Sequence, residues 1–416
     1  MSRSITEKRR KGTGVKRIFC LLVTVLLCGC KEQEITKTVI LPDTVTKKST
    51  GIDVKNIQEY TCEEEVIDMT WSREGAGRLC LIRNVDGKYV YQTADVYQKT
   101  VSEEEIFAES LSDFVKIAPG GRFTAFETFT DDVRRLFVYD ADRKESELLM
   151  EWEGGVNVGD FAWSGDGMRF FIWMVMEEVV QDQVVSEESS MYCFDMESEE
   201  RMKSEMKLSV NDVIGETMLP NEDGSRVFAR KEHFDSRDRQ EENLNVDAYN
   251  MDAYIEEREK QGKDYLVTQE KKDWIFDMET GETEEIDLTR LSLQDPVKYT
   301  EAGLFGTEGD KLWLVREPLK EASGKRLLDE ECMDLCICEK GDHIFLIGRE
   351  EQTDYLQVTG ILLEDGEIQE YQVLYKGIYG EYGQSFIGMD DHELVIQSFG
   401  VEENNRWTLK ATILEY

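Results

Sequence analysis

Trp163-Ser164-Gly165-Asp166-Gly167 is a compact polar turn that leads into the apolar run Met168-Arg169-Phe170-Phe171-Ile172-Trp173. Related turns stand at Trp71-Ser72-Arg73-Glu74-Gly75 and Ile117-Ala118-Pro119-Gly120-Gly121, and the closing glycines 75, 121 and 167 are 46 residues apart. A fixed period in the forties, with a β-rich run after each turn, marks a β-propeller in which each period is one four-stranded blade. Each turn ends one strand and starts the next, as a hairpin. Asn221-Glu222-Asp223-Gly224, ahead of Ser225-Arg226-Val227-Phe228-Ala229, repeats the pattern, and Gly309, ahead of Asp310-Lys311-Leu312-Trp313-Leu314-Val315, is read the same way.

A second marker recurs as Val138-Tyr139-Asp140, Cys193-Phe194-Asp195 and Ile275-Phe276-Asp277. It reads as a third strand running into a turn that the aspartate opens through its side chain. Farther on, His343–Ile347 and Glu393–Gln397 look like second strands, and Tyr355–Leu363 with Ile368–Tyr375 like a third and fourth that turn at Asp365-Gly366. Counting turns predicts an all-β propeller of seven blades starting near residues 67, 113, 159, 215, 300, 333 and 384. Six blades is the alternative, because a fifth interval of about 33 residues barely holds four strands. The last blade ends on its third strand, Trp407–Leu414, so Thr38–Leu41 or Ile52–Tyr60 is expected to supply the fourth and remove an open edge.

The two markers resemble the TolB-like propeller repeats, a WD40-like family of exported proteins. The match is best at Trp163–Gly167, good at Trp71–Gly75 and Ile117–Gly121, partial at Leu219–Gly224 and faint at Gly303–Gly309. It spans residues 60–315, and the remainder matches by strand pattern only.

The N-terminus places Lys8, Arg9, Arg10, Lys11, Lys16 and Arg17 before the apolar run Ile18–Leu27. That run is too short to cross a bilayer core of ~30 Å and reads as an export signal. The following Leu27-Cys28-Gly29-Cys30 resembles the lipobox of bacterial lipoproteins. The resemblance implies cleavage before Cys30 and diacylglycerol on its sulfur, with the protein held at the cell membrane and facing outside the cytoplasm. The expected organisation is a signal peptide over 1–29, a lipidated Cys30 and polar tether over 30–50, and a propeller over 51–416.

The chain carries a formal net charge of −39, and 42 basic against 87 acidic residues remain beyond position 29. Such a surface repels nucleic acid and favours cationic partners. Nine cysteines are present, at 20, 28, 30, 62, 80, 193, 332, 336 and 338, and nothing in their spacing fixes a pairing. Cys336 and Cys338 are expected on one face of a strand, as small apolar residues inside a blade. No metal or cofactor is expected: His233, His343 and His392 lack partners at metal spacing, and 343 and 392 each follow an aspartate at a turn. There is no G-x-S-x-G motif, and the chain ends at a blade, so the hydrolase domain that follows some propellers is not expected. No catalytic residue is assigned.

The repeat breaks in one place. From the turn glycine to the next aromatic-Asp marker is 19 residues for Gly121–Asp140, 28 for Gly167–Asp195 and 53 for Gly224–Asp277. The extra length falls between second and third strands of two adjacent blades, on one face. The shorter insert, near Glu177–Glu188, is acidic and read as a mobile loop. The longer, about 231–264, includes Asn245–Lys260, where Val246, Tyr249, Met251, Tyr254 and Ile255 have the spacing of an amphipathic helix. Within it Asp247, Tyr249, Asp252, Tyr254 and Glu256 are candidate recognition residues, although for most of the aromatics packing of the helix onto the propeller is the favoured role. The expected function is a lipid-anchored binding or scaffold protein for a peptide, glycan or membrane-protein partner. The alternatives are a carbohydrate-active hydrolase or lyase with channel carboxylates, and an accessory or sensor subunit of an envelope transport or signalling complex.

Overall fold

The computed structural model describes residues 54–416, except 63–65, 110–113, 131–132, 154–155, 181–182, 199–202, 210–215, 235–267, 287, 289–294, 309–310, 317–318, 320–323, 329–333, 339, 350–354, 379–383, 390–391 and 402–406. Within these residues the chain forms seven antiparallel sheets, the blades of a propeller.

The strand β1 (Asn56–Cys62) precedes the first blade, which is β2 (Val66–Trp71), β3 (Arg78–Val85), β4 (Lys88–Asp95) and an outer edge split into β5 (Thr100–Val101) and β6 (Glu105–Ala108). The second is β7 (Val115–Ile117), β8 (Phe123–Thr130), β9 (Val133–Asp140) and β10 (Glu145–Glu153). The third is β11 (Val156–Trp163), β12 (Arg169–Val180), β13 (Gln183–Asp195) and β14 (Lys203–Ser209). The fourth is β15 (Glu216–Pro220), β16 (Arg226–Phe234), β17 (Thr268–Asp277) and β18 (Thr283–Ile286). The fifth is β19 (Asp295–Thr300), β20 (Gly303–Glu308), β21 (Lys311–Arg316) and β22 (Gly324–Leu328). The sixth is β23 (Asp334–Ile337), β24 (His343–Arg349), β25 (Tyr355–Glu364) and β26 (Glu367–Ile378). In the seventh, β27 (Gln384–Met389), β28 (Glu393–Val401) and β29 (Trp407–Glu415) take β1 as their fourth strand.

Of the two expected closing segments, the second supplies β1, paired from Asn56–Glu415 to Cys62–Leu409, while residues 38–41 lie outside the described part. Glu393 seals the seam from the other side. Its carboxylate accepts the Gly77 N–H at 2.8 Å and the Tyr97 hydroxyl at 2.6 Å, both from the first blade.

The turn chemistry explains the repeat. Ser164 Oγ accepts the Arg169 N–H at 2.9 Å and donates to Asp166 Oδ1, which also accepts the Met168 N–H. Gly167 sits at φ 71°, and a Cβ there would lie 2.4 Å from the Pro119 carbonyl of the second blade. Trp163 donates its indole N–H to the Lys116 carbonyl of that blade at 3.1 Å. The motif therefore folds its own turn and docks on the preceding blade. The aromatic-Asp marker behaves as expected: Asp140, Asp195 and Asp277 each accept backbone N–H groups two and three residues on.

The core lies between blades. Val227 and Ala229 pack on Phe171 and Trp173 of the third blade, while the alternate Phe228 packs on Tyr299 and Leu304 of the fifth. A strand buried on both faces reads as a continuous apolar run, which is why the second strands stand out in the sequence.

The fifth blade departs from expectation. Its first turn is Glu301-Ala302, closing a two-residue hairpin between Thr300 and Gly303, so the blade begins at Asp295. Lys311–Arg316 is its third strand, and Gly309-Asp310 falls between second and third. Glycine-aspartate chemistry serves either connection, so the sequence signal was one strand out of register. The shorter insert is not a loop but a ladder: β12 and β13 stay paired out to Val180–Gln183.

Candidate functional site

Antiparallel strands reverse at every turn, so the connections after first and third strands share one end of the propeller, the turn face. Those after second and fourth strands share the opposite end, the insert face. Both long insertions leave from the insert face of adjacent blades, because residues 181–182 and 235–267 each join a second strand to a third. At the root of the longer one Phe234 pairs with Thr268. Below that root Arg230 and Asp273 form a buried bidentate pair, at 2.7 and 3.0 Å, across the second and third strands of the fourth blade. Asp247, Tyr249, Asp252, Tyr254 and Glu256, the helix expected around them, and Cys30 all lie outside the described residues.

A cavity of about 470 Å³ opens instead on the turn face, among the first three blades. Its walls carry Arg73, Arg122 and Lys144 against carboxylates. Arg122 pairs with Asp140 at 3.2 Å and Asp142 at 3.0 Å, and Lys144 pairs with Glu105. Arg73 lies over the Trp71 ring, 5.9 Å from its centroid. Burial raises the Glu105 carboxyl, but hydrogen bonds from Lys144 and Tyr139 outweigh it and hold the group below its ordinary range. Among the described residues that line it there is no histidine or cysteine. It is a recess of mixed charge whose Arg122, Lys144 and carboxylates are engaged with one another in ion pairs.

The inner strands carry a device that the repeat search missed. Asp68, Asp160 and Asp334 each stand four residues before the residue that opens the turn, Ser72, Ser164 or Cys338. One carboxylate oxygen takes the N–H of the following residue: Met69, Phe161 or Leu335. The other takes an N–H from the next blade, at 2.9 Å from Ile117, 2.8 Å from Met218 and 2.6 Å from Phe386. Burial raises all three carboxyls, and the backbone N–H groups pull the other way. With both oxygens engaged, these groups clamp blades and are poorly placed as general acids. The fixed offset from the turn was the signal that would have revealed them.

In the sixth blade the fold places neighbours beside His343 that spacing along the chain did not reveal. The blade's first strand ends at Ile337, so Cys338 opens the turn rather than sharing a strand face with Cys336. Cys338 Sγ lies 2.9 Å from Asp342 Oδ1, and His343 Nδ1 lies 2.9 Å from the same oxygen. Thiol, carboxylate and imidazole ligand atoms lie within 4.8 Å of one another. Burial and the Asp342 contact push the Cys338 thiol up to about 11. Cys80, Cys193, Cys336 and Cys338 carry thiols outside any disulfide.

No family model matches the chain, and no curated protein does. Solved structures do. An oligogalacturonate lyase in complex with manganese aligns over 86% of this chain and 90% of its own, at 10% identity and a TM-score of 0.52. The β-propeller domain of the Trilobed protease from Pyrococcus furiosus aligns over 81% and 90%, at 15% identity and 0.46. TolB from Acinetobacter baumannii aligns over 76% and 67%, at 13% identity and 0.35. At these identities the likeness bears on the fold alone, and the fold is a seven-bladed β-propeller.

Proposed function

We propose that this protein is a lipid-anchored, extracytoplasmic propeller that binds a peptide, glycan or membrane-protein partner without acting on it chemically. One observation carries the reading: both departures from the repeat sit in adjacent blades and leave from the same face. β1 supports it, because its pairing with β29 starts the described chain at the turn face. The chain ahead of β1 is therefore joined to the propeller at the end opposite the insertions. The acidic balance favours a cationic partner.

The test is capture of envelope components by the full chain and by a chain lacking 236–262. The reading expects a folded deletion variant that loses its specific partner, and retention of that partner would move the binding site elsewhere. Anchoring is tested separately. Cys30→Ala is expected to abolish lipidation and leave the protein unprocessed or released, and unchanged processing and membrane retention would refute it.

A further inference from the structure

We propose that Cys338, Asp342 and His343 form a binding site for one divalent transition-metal ion of the zinc class, with water completing its coordination. Cys338 donates its N–H to the His343 carbonyl and accepts the Gly341 N–H, as Ser164 does with Arg169 and Gly167. Its sulfur accepts the His343 N–H at 3.2 Å, where Ser164 Oγ accepts that of Arg169. The backbone is therefore the repeated turn, fixed by the same hydrogen bonds.

The side chains are what differ. In the third blade these positions hold Ser164, Met168 and Arg169, and in the fourth Asn221, Ser225 and Arg226. In the sixth they hold Cys338, Asp342 and His343. Three changes at one turn bring together the sulfur, oxygen and nitrogen donors that zinc takes. The arginine at this position in the third blade reaches the aspartate that ends the third strand, with Arg169 3.5 Å from Asp195. His343 faces Leu362 across the ladder and instead turns its ring to Asp342.

The geometry needs little adjustment. A tetrahedral zinc centre separates its donor atoms by roughly 3.2–3.8 Å. Here the carboxylate oxygen is 2.9 Å from both other donors, and all three lie within 4.8 Å. The Asp342 and His343 side chains are 42% and 35% exposed, which leaves an entry path and room for water. Metal binding converts the Cys338 thiol, now hydrogen-bonded to Asp342, to a thiolate and releases its proton to solvent.

Cobalt(II) titration of the reduced full-length chain in detergent, without oxygen, tests the site. The expected result is a sulfur-to-cobalt charge-transfer band with tetrahedral visible bands, saturating at one ion per chain and displaced by zinc. Cys338→Ser keeps the turn, because a serine hydroxyl fills this position in the third blade. It should weaken cobalt binding at least tenfold, as should His343→Gln and Asp342→Asn. No band in the parent chain, or a loss smaller than tenfold in any of the three variants, overturns the proposal.

Discussion

In each of the first four blades an arginine near the start of the second strand faces an aspartate that ends the third: Arg78 and Asp95, Arg122 and Asp140, Arg169 and Asp195, Arg226 and Asp277. In the last three the equivalent pairs are Gly303 with Arg316, His343 with Leu362 and Glu393 with Glu415. The first half also bonds its turns to one another. Arg73 N–H reaches the Gly120 carbonyl at 3.3 Å, and Asp166 N–H reaches that of Glu222 at 2.8 Å. The second half relies on apolar packing, such as Phe345 and Ile347 against Leu394 and Ile396, and on the closing strand β1. One architecture is thus reached by two routes, and only the first leaves a repeating polar signature in the sequence.

The most damaging way to break the first route is at a turn glycine. Gly167→Ala meets two costs: a left-handed backbone at φ 71° and a new Cβ 2.4 Å from the Pro119 carbonyl. Left-handed strain costs about 1–2 kcal/mol and overpacking about 1–3 more, so a loss of roughly 2–5 kcal/mol is expected in denaturant unfolding. Gly281→Ala has a similar φ of 72° but open space around its Cβ, and only the strain of about 1–2 kcal/mol applies. Equal losses in the two variants would show that docking between turns contributes nothing.

Legibility follows the same division. The turns of the first four blades could be read because their hydrogen bonds demand Ser, Asn, Asp or Gly at fixed offsets. The sixth and seventh blades were found by strand pattern, and their expected starts, 333 and 384, fall beside Asp334 and Gln384. The fifth was misread because Glu301-Ala302 makes a hairpin from residues that carry no turn signal, and Gly303 is there for close approach to the Val315 carbonyl. The His343 cluster was invisible for another reason. Its donors are an ordinary turn cap and two adjacent residues, and only the fold shows that they share one oxygen. The cavity was missed as well, since it draws on turns from three blades.

The blade clamps cut across both regions, so they sharpen the comparison. Asp160→Asn places an amide NH2 against one of two backbone N–H donors, from Phe161 or Met218, at an expected cost of about 1–3 kcal/mol. The pH dependence has a definite sign. The folded-state pKa is raised, so between the unfolded value of about 3.9 and the folded one the folded chain binds more protons. This group's contribution is therefore full below about pH 4 and is lost as pH rises through the folded value. Unfolding of parent and variant measured from about pH 4 to 8 should show the gap narrowing as pH rises. A widening gap would mean that the two N–H groups stabilise the anion more than burial penalises it. Asp334→Asn should behave alike, because the sixth blade has the clamp without the arginine–aspartate pair.

The smallest expected effect belongs to the most conspicuous feature. Arg169 and Asp195 are 3.5 Å apart, with side chains 28% and 26% exposed. Such partly exposed pairs contribute about 0–1 kcal/mol and weaken in salt. Arg169→Met keeps an apolar stem where the arginine carbons approach Gly224, within 3.0 Å of a Cβ built there, and so isolates the charge from the packing. Unfolding at low and high salt should give a loss below about 1 kcal/mol that shrinks at high salt. A loss near that of Gly167→Ala would reverse the ranking and make the ion pair, rather than the glycine's docking, what distinguishes the first four blades. A small loss leaves the pair a different job. In a chain of net charge −39, each arginine offsets an aspartate whose oxygen is committed to its turn, and so limits repulsion where turns crowd together on one face.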